Sequence, residues 1–185
     1  FLLFFILSVT LTIILPNTVH ANPMTTYDSS PTAHVAEAGV DDPEYAYDGN
    51  PGTDARIAYD QSQYEEVKTF STSGAPTTNG IAFVDFKMNY KSDDGGSGEN
   101  YRIVYYVGTS GPIVLQDWIG DGAAQDYTSP ERVWLNQREP NDGVWNWTDI
   151  TDIRLRVEGG TGSGKAAYFY EYEAWVTVYA YRKAT

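Results

Sequence analysis

Few residues in this chain could make or break a covalent bond. It has no cysteine and two histidines, His20 and His34. That leaves little for zinc ligation or for a nucleophile activated by a base. Neither G-x-S-x-G nor H-E-x-x-H occurs. Carboxylates are abundant, and Asp117, Asp121 and Glu131 are of the right type for the acid and base of a glycosidase. With 25 Asp and Glu against 12 Lys and Arg, they read instead as a solvated acidic surface, and no enzyme is expected. The remaining chemistry is recognition. In the stretch 140–150, PNDGVWNWTDI, Trp145 and Trp147 share a side if the segment is extended. Indoles that stay exposed stack on sugar rings, whereas buried ones fill a core. Asn146-Trp147-Thr148 is the only N-x-S/T sequence in the chain, which makes Asn146 a candidate glycan acceptor.

A second polar cluster is Ala46-Tyr47-Asp48-Gly49-Asn50-Pro51-Gly52-Thr53. By composition it is an Asp-Gly and Asn-Pro turn. It also resembles the A-x-D-G-N-x-x-T loop of galactose-binding-like jelly rolls, the discoidin and carbohydrate-binding-module family. Asp54-Ala55-Arg56 follows where that family usually carries an aromatic residue. The resemblance implies a jelly-roll fold and a structural calcium ion. Its ligands would be side-chain oxygens of Asp48 and Thr53, the Asn50 carbonyl, and a glutamate of the last strand, Glu171 or Glu173. The chemistry agrees, since hard cations take oxygen ligands and a Gly-rich loop turns its carbonyls inward.

The elements that must position these residues read as strands. The 185 residues suffice for one domain with its own core. Alternating runs at 32–38, 55–59, 65–71, 80–91, 101–108, 113–118, 132–136, 152–158 and 167–181 are separated by Gly and Pro. That spacing predicts an all-β, antiparallel jelly-roll sandwich over 32–185, with at most a single helical turn near 147–150. In 152–158, Ile153, Leu155 and Val157 should face inward, and Arg154, Arg156 and Glu158 outward. In 167–181 strict alternation groups Phe169, Glu171, Glu173, Trp175, Thr177 and Tyr179 on one face. Residues 16–31, with three prolines, read as a linker. A net charge of −13 and a pI near 4.3 exclude a nucleic-acid binder, which needs a basic surface.

Residues 1–15, FLLFFILSVTLTIIL, carry no charge. Such a run followed by Val19-His20-Ala21 reads as a secretory signal peptide cleaved before Asn22. Pro16 stops it short of the roughly 20 residues of a membrane helix, so no stable span is expected. The same run alternates with period two. Phe1, Leu3, Phe5, Leu7, Val9, Leu11, Ile13 and Leu15 share one face, and Ser8, Thr10 and Thr12 lie on the other. As a strand it would reach about 50 Å, far enough to lie along a neighbouring copy.

Two readings of function follow, both extracellular or at the cell surface. In the first, the chain is a structural subunit whose N-terminal strand inserts into the next β-sandwich, giving a head-to-tail homopolymer or filament. In the second, the arm is a cleaved signal, and the body is a secreted carbohydrate-binding or adhesive module with glycans as partners.

Overall fold

A computed structural model describes residues 23–58, 63–93, 100–120, 124–160 and 167–182. Phe1 to Leu15, and with them the proposed assembly strand, lie outside the described residues. The described chain is nearly all β. Its strands are β1 (Met24–Ser29), β2 (Pro31–Ala36), β3 (Ala55–Ala58), β4 (Tyr64–Phe70), β5 (Ile81–Ser92), β6 (Asn100–Val107), β7 (Ser110–Gly120), β8 (Gln125–Asp126), β9 (Arg132–Gln137), β10 (Ile153–Gly159) and β11 (Tyr168–Tyr181). A 3-10 helix spans Pro43–Tyr47, and one short helix, α1, spans Trp147–Thr151. No helix among the described residues is long and apolar enough to cross a membrane.

The strands form two antiparallel sheets. One runs β1-β11-β5-β8, with β3 also paired to β11 and β9 to β5. The other runs β2-β4-β10-β6-β7. The chain passes from sheet to sheet between β4, β5 and β6 and again between β9, β10 and β11, as in a jelly-roll sandwich. Alternation explains the packing. In β10, Ile153, Leu155 and Val157 are buried, and Arg154, Arg156 and Glu158 point outward, as the pattern predicts. The core between the sheets is largely aromatic. Tyr90 stacks on Phe169 at 4.8 Å, and Phe86 lies 4.4 Å from Tyr105.

Two expectations are corrected. Residues 16–31 are not linker throughout, because β1 pairs with β11 from Met24↔Tyr181 to Ser29↔Val176. Proline punctuation misled there: Pro23 precedes the strand, and Pro31 opens the edge strand β2, where an absent N–H costs little. Strict alternation also fails in β11. The register against β5 shifts between Glu171 and Glu173, leaving Tyr172 as an extra residue. Such a bulge exchanges the two faces of a strand. Phe169 and Glu171 point into the core, and beyond the bulge Ala174, Val176, Val178 and Ala180 do so. Glu173 and Trp175 therefore face outward while Glu171 faces inward.

Glu171 meets a second buried carboxylate, Glu65 of β4. Glu65 is 0% and Glu171 1% exposed. Among the described residues, both Glu65 oxygens and Glu171 Oε1 have no hydrogen-bond partner. Burial raises both groups, and the Glu171 charge raises Glu65 further. Glu171 moves from 4.5 to about 8. Above 4.5 the unfolded chain releases this proton while the native chain still holds it, so stability falls as pH rises toward 8. The urea midpoint is therefore expected to be lower at pH 8 than at pH 5. E171Q should flatten the dependence and raise the pH 8 midpoint; a wild-type midpoint higher at pH 8 than at pH 5 would contradict the buried pair.

Candidate functional site

The outward face of the five-stranded sheet is a lattice of arginine, glutamate and aromatic side chains. Residues opposite one another in antiparallel strands point to the same side. One row therefore runs Tyr64, Glu158 and Arg102, the next Glu66, Arg156 and Val104, and the third Lys68, Arg154 and Tyr106. Arg156 lies 4.1 Å from the Tyr64 ring centre and 5.0 Å from that of Tyr106, and Arg154 lies 4.6 Å from Tyr106. Glu66 accepts from Arg156 Nη2 at 2.8 Å and Nε at 3.0 Å, and from Arg154 Nη1 at 3.5 Å. Arg102 Nε donates to Glu158 at 2.5 Å, and its guanidinium lies 4.8 Å from the Trp118 ring centre. Cation–π contact and ion pairing act together here. Val104 is fully buried although it faces outward across from Arg156, so the lattice seals the sheet beneath it.

At one end of this face lies a cleft of about 440 Å³, lined by Gln63, Tyr64, Asn100, Trp118, Glu158, Gly159 and Gly160. Trp118 keeps 42% of its surface exposed beside it. The site thus offers an indole held by Arg102, the Asn100 amide and the Glu158 carboxylate, beside Tyr64 under Arg156 and a buried Gln63 whose amide is bonded to the Ala38 carbonyl and the Ala58 N–H. Apolar ring faces flanked by a few planar polar groups suit a ligand with both a flat apolar face and hydroxyls. A smaller cleft of about 280 Å³ on the opposite sheet is lined by residues that include Asp28, Tyr47, Glu173 and Trp175.

The indoles singled out from sequence do not form such a surface. Trp145 is a core residue, 5% exposed, packed 6.4 Å from both Phe86 and Tyr105, with Nε1 donating to the Gln137 carbonyl. Its face is therefore unavailable to a sugar. Trp147 is half-buried, with Nε1 donating to the Asn79 carbonyl and an edge contact to Tyr27. The segment is not extended, because Asn146 caps α1. Its Oδ1 accepts from the Thr148 and Asp149 N–H groups, and Asp149 Oδ2 accepts from the Asn146 N–H. Asn146 itself is exposed. Of the carboxylates considered for catalysis, Glu131 lies 4.0 Å from Lys87, Asp117 accepts from the Trp118 N–H, and Asp121 lies outside the described residues.

The loop at 46–53 is closed by hydrogen bonds among Asp48, Asn50 and Thr53. Asp48 Oδ1 accepts from the Asn50 N–H at 2.7 Å. The Thr53 hydroxyl lies 2.8 Å from Asp48 Oδ2 and 2.9 Å from the Asn50 carbonyl oxygen. Glu173 faces the loop across Gly49, and its carboxyl is raised by burial and by the Asp48 charge. Glu171 does not join them, since the bulge turns it toward Glu65. These are hard oxygen donors of the kind calcium takes. Among the described residues no group of three or more Asp, Glu, His or Cys side chains is placed to hold a metal ion.

No family model and no curated protein matches the chain. A comparison with solved structures finds chitosan-binding module 2, solved with chitotriose, from a chitosanase/glucanase of Paenibacillus sp. IK-5. It is 18% identical over 82% of this chain and 94% of that chain, with a TM-score of 0.33. The likeness is coarse.

Trp118, Arg102 and Tyr64 escaped the sequence reading. Alternation shows that Arg154, Arg156 and Glu158 face outward, but not which aromatic side chains meet them across the strands. The Asn146 geometry is separable from the sequon it belongs to. N146A should cost about 1 kcal/mol through loss of the cap, and N146D, which keeps an acceptor, should cost much less. Equal urea midpoints for the two variants would show that the cap contributes nothing.

Proposed function

We propose that this chain is a secreted, non-catalytic glycan-binding module, with the Trp118 cleft as its binding site. The observation that carries the reading is the exposed indole held in place by Arg102 beside a cleft walled by Tyr64, Gln63, Asn100 and Glu158. An indole already fixed loses little freedom when a sugar ring stacks on it. The filament reading rests on Phe1 to Leu15, outside the described residues, and no described feature favours it over glycan binding.

Calcium is the second part of the proposal. An ion between Asp48, the Asn50 carbonyl, Thr53 and Glu173 would offset the repulsion between the two carboxylates and fasten the loop to β11. Its role would be structural. Because an ion bound only by the native state raises apparent stability, the melting temperature should be higher in calcium than in excess chelator, and E173Q should abolish the difference. Identical melting curves in calcium and chelator would remove the ion from the account.

The binding site itself is tested by W118A in affinity electrophoresis against a panel of soluble polysaccharides. Loss of a central aromatic anchor typically weakens binding by about tenfold or more. Retardation of the wild type by at least one polysaccharide is expected, and its loss in W118A. The thermal melt should stay close to wild type, since the side chain is half exposed. No retardation of the wild type, or retardation unchanged in W118A, would contradict the proposal.

A further inference from the structure

Arg102 differs from the other two arginines of the outward face. Arg156 directs Nε and Nη2 to Glu66 and Nη1 toward Glu158, and Arg154 directs Nη1 to Glu66 and Nη2 to the Gly108 carbonyl. Arg102 is anchored at Nε by Glu158 and held against the Trp118 ring. Its terminal nitrogens, Nη1 and Nη2, hydrogen-bond to no acceptor among the described residues. It therefore carries a guanidinium fixed at Nε, with its terminal donors unused, at the margin of the cleft: Glu158 and Trp118 line the cleft, and Arg102 holds both from beside it.

We infer that the glycan taken by this cleft is acidic, with a uronate carboxylate accepting from Arg102 Nη1 and Nη2 while the sugar ring lies on Trp118; this rests on the glycan-binding reading above. The planar fork of a guanidinium matches the two oxygens of a carboxylate, and such paired charge-assisted bonds are strong and directional. Along the three rows Arg102, Arg154, Arg156 and Lys68 stand against Glu66 and Glu158, and Asp117 adds a carboxylate next to Trp118. Glu158 does not oppose the ligand as a lone charge would, because Arg102 and Arg156 both pair with it.

The test is isothermal titration calorimetry of the wild type, R102Q, R102K and W118A. The ligands are polygalacturonate, alginate and hyaluronan, each beside its carboxyl-reduced form, with dextran sulfate beside dextran as a second anionic source. Hydrogen bonds to a charged group are strong enough that the wild type should bind at least one uronate polymer about tenfold tighter than its reduced form. R102Q should bring the two forms level. R102K, which keeps the charge but loses the fork, should fall between. Glu158 keeps Arg156 in both variants, so their thermal melts should match the wild type. The inference is overturned if the wild type binds no uronate polymer better than its reduced form, if R102Q leaves the preference intact, or if only the sulfate is preferred. If reduced or neutral polymers bind in a Trp118-dependent way without acid preference, the glycan-binding reading stands and the acidic ligand falls. If no polymer binds at all, both fall.

Discussion

The structure turns on one extra residue in its last strand. β11 pairs with β1, β3 and β5, so its register sets the six-stranded sheet. Apolar side chains must face the core on both sides of Tyr172, and they sit at odd positions before it, at Phe169, and at even positions after it, from Ala174 to Ala180. A regular strand cannot satisfy both halves. The bulge does, by letting two residues of β11 oppose one of β5. It also separates two glutamates that lie two residues apart. Glu171 enters the core opposite Glu65, and Glu173 turns outward to the loop at 46–53. Hence one carboxylate is raised by burial in the core while the other faces the loop beside Gly49.

The outward face of the other sheet follows a different rule. Its charged residues are not scattered on a solvated surface. Three arginines lie over Tyr64, Tyr106 and Trp118 and are tied by Glu66 and Glu158. Partly desolvated pairs of this kind are screened less than exposed ones, and their side chains are held in one geometry. Such fixing suits recognition, because a group already oriented loses little freedom on binding. The lattice saturates at its centre, at Arg156, and leaves unused donors at its edge, at Arg102, where the cleft lies.

Much of this was legible in the sequence, and what was not has physical causes. Alternation at Ile153, Leu155 and Val157 read correctly because that strand is regular and apolar on one side only. Alternation in β11 misled because a bulge leaves no mark on composition, and aromatic residues on both parities hid the switch. Trp145 and Trp147 looked like a pair because an extended segment was assumed. Asn146 and Asp149 already form the N-x-x-D pattern of a helix cap, which could have warned against that assumption. The closed turn at 46–53 was legible because its residues are contiguous. The cleft was not, because Tyr64, Trp118 and Glu158 come from three separate strands and meet only through register.

The most direct test uses the five tryptophans as reporters. Their indole N–H groups give separate signals in a proton–nitrogen correlation spectrum, assigned by substituting each tryptophan in turn. On titration with a polysaccharide that retards the protein in gels, the Trp118 signal is predicted to move. The Trp145 and Trp147 signals, whose N–H groups are bonded to the Gln137 and Asn79 carbonyls, are predicted to stay. Movement of Trp147 or Trp175 with Trp118 unmoved would contradict the account and place the binding site elsewhere on the sandwich.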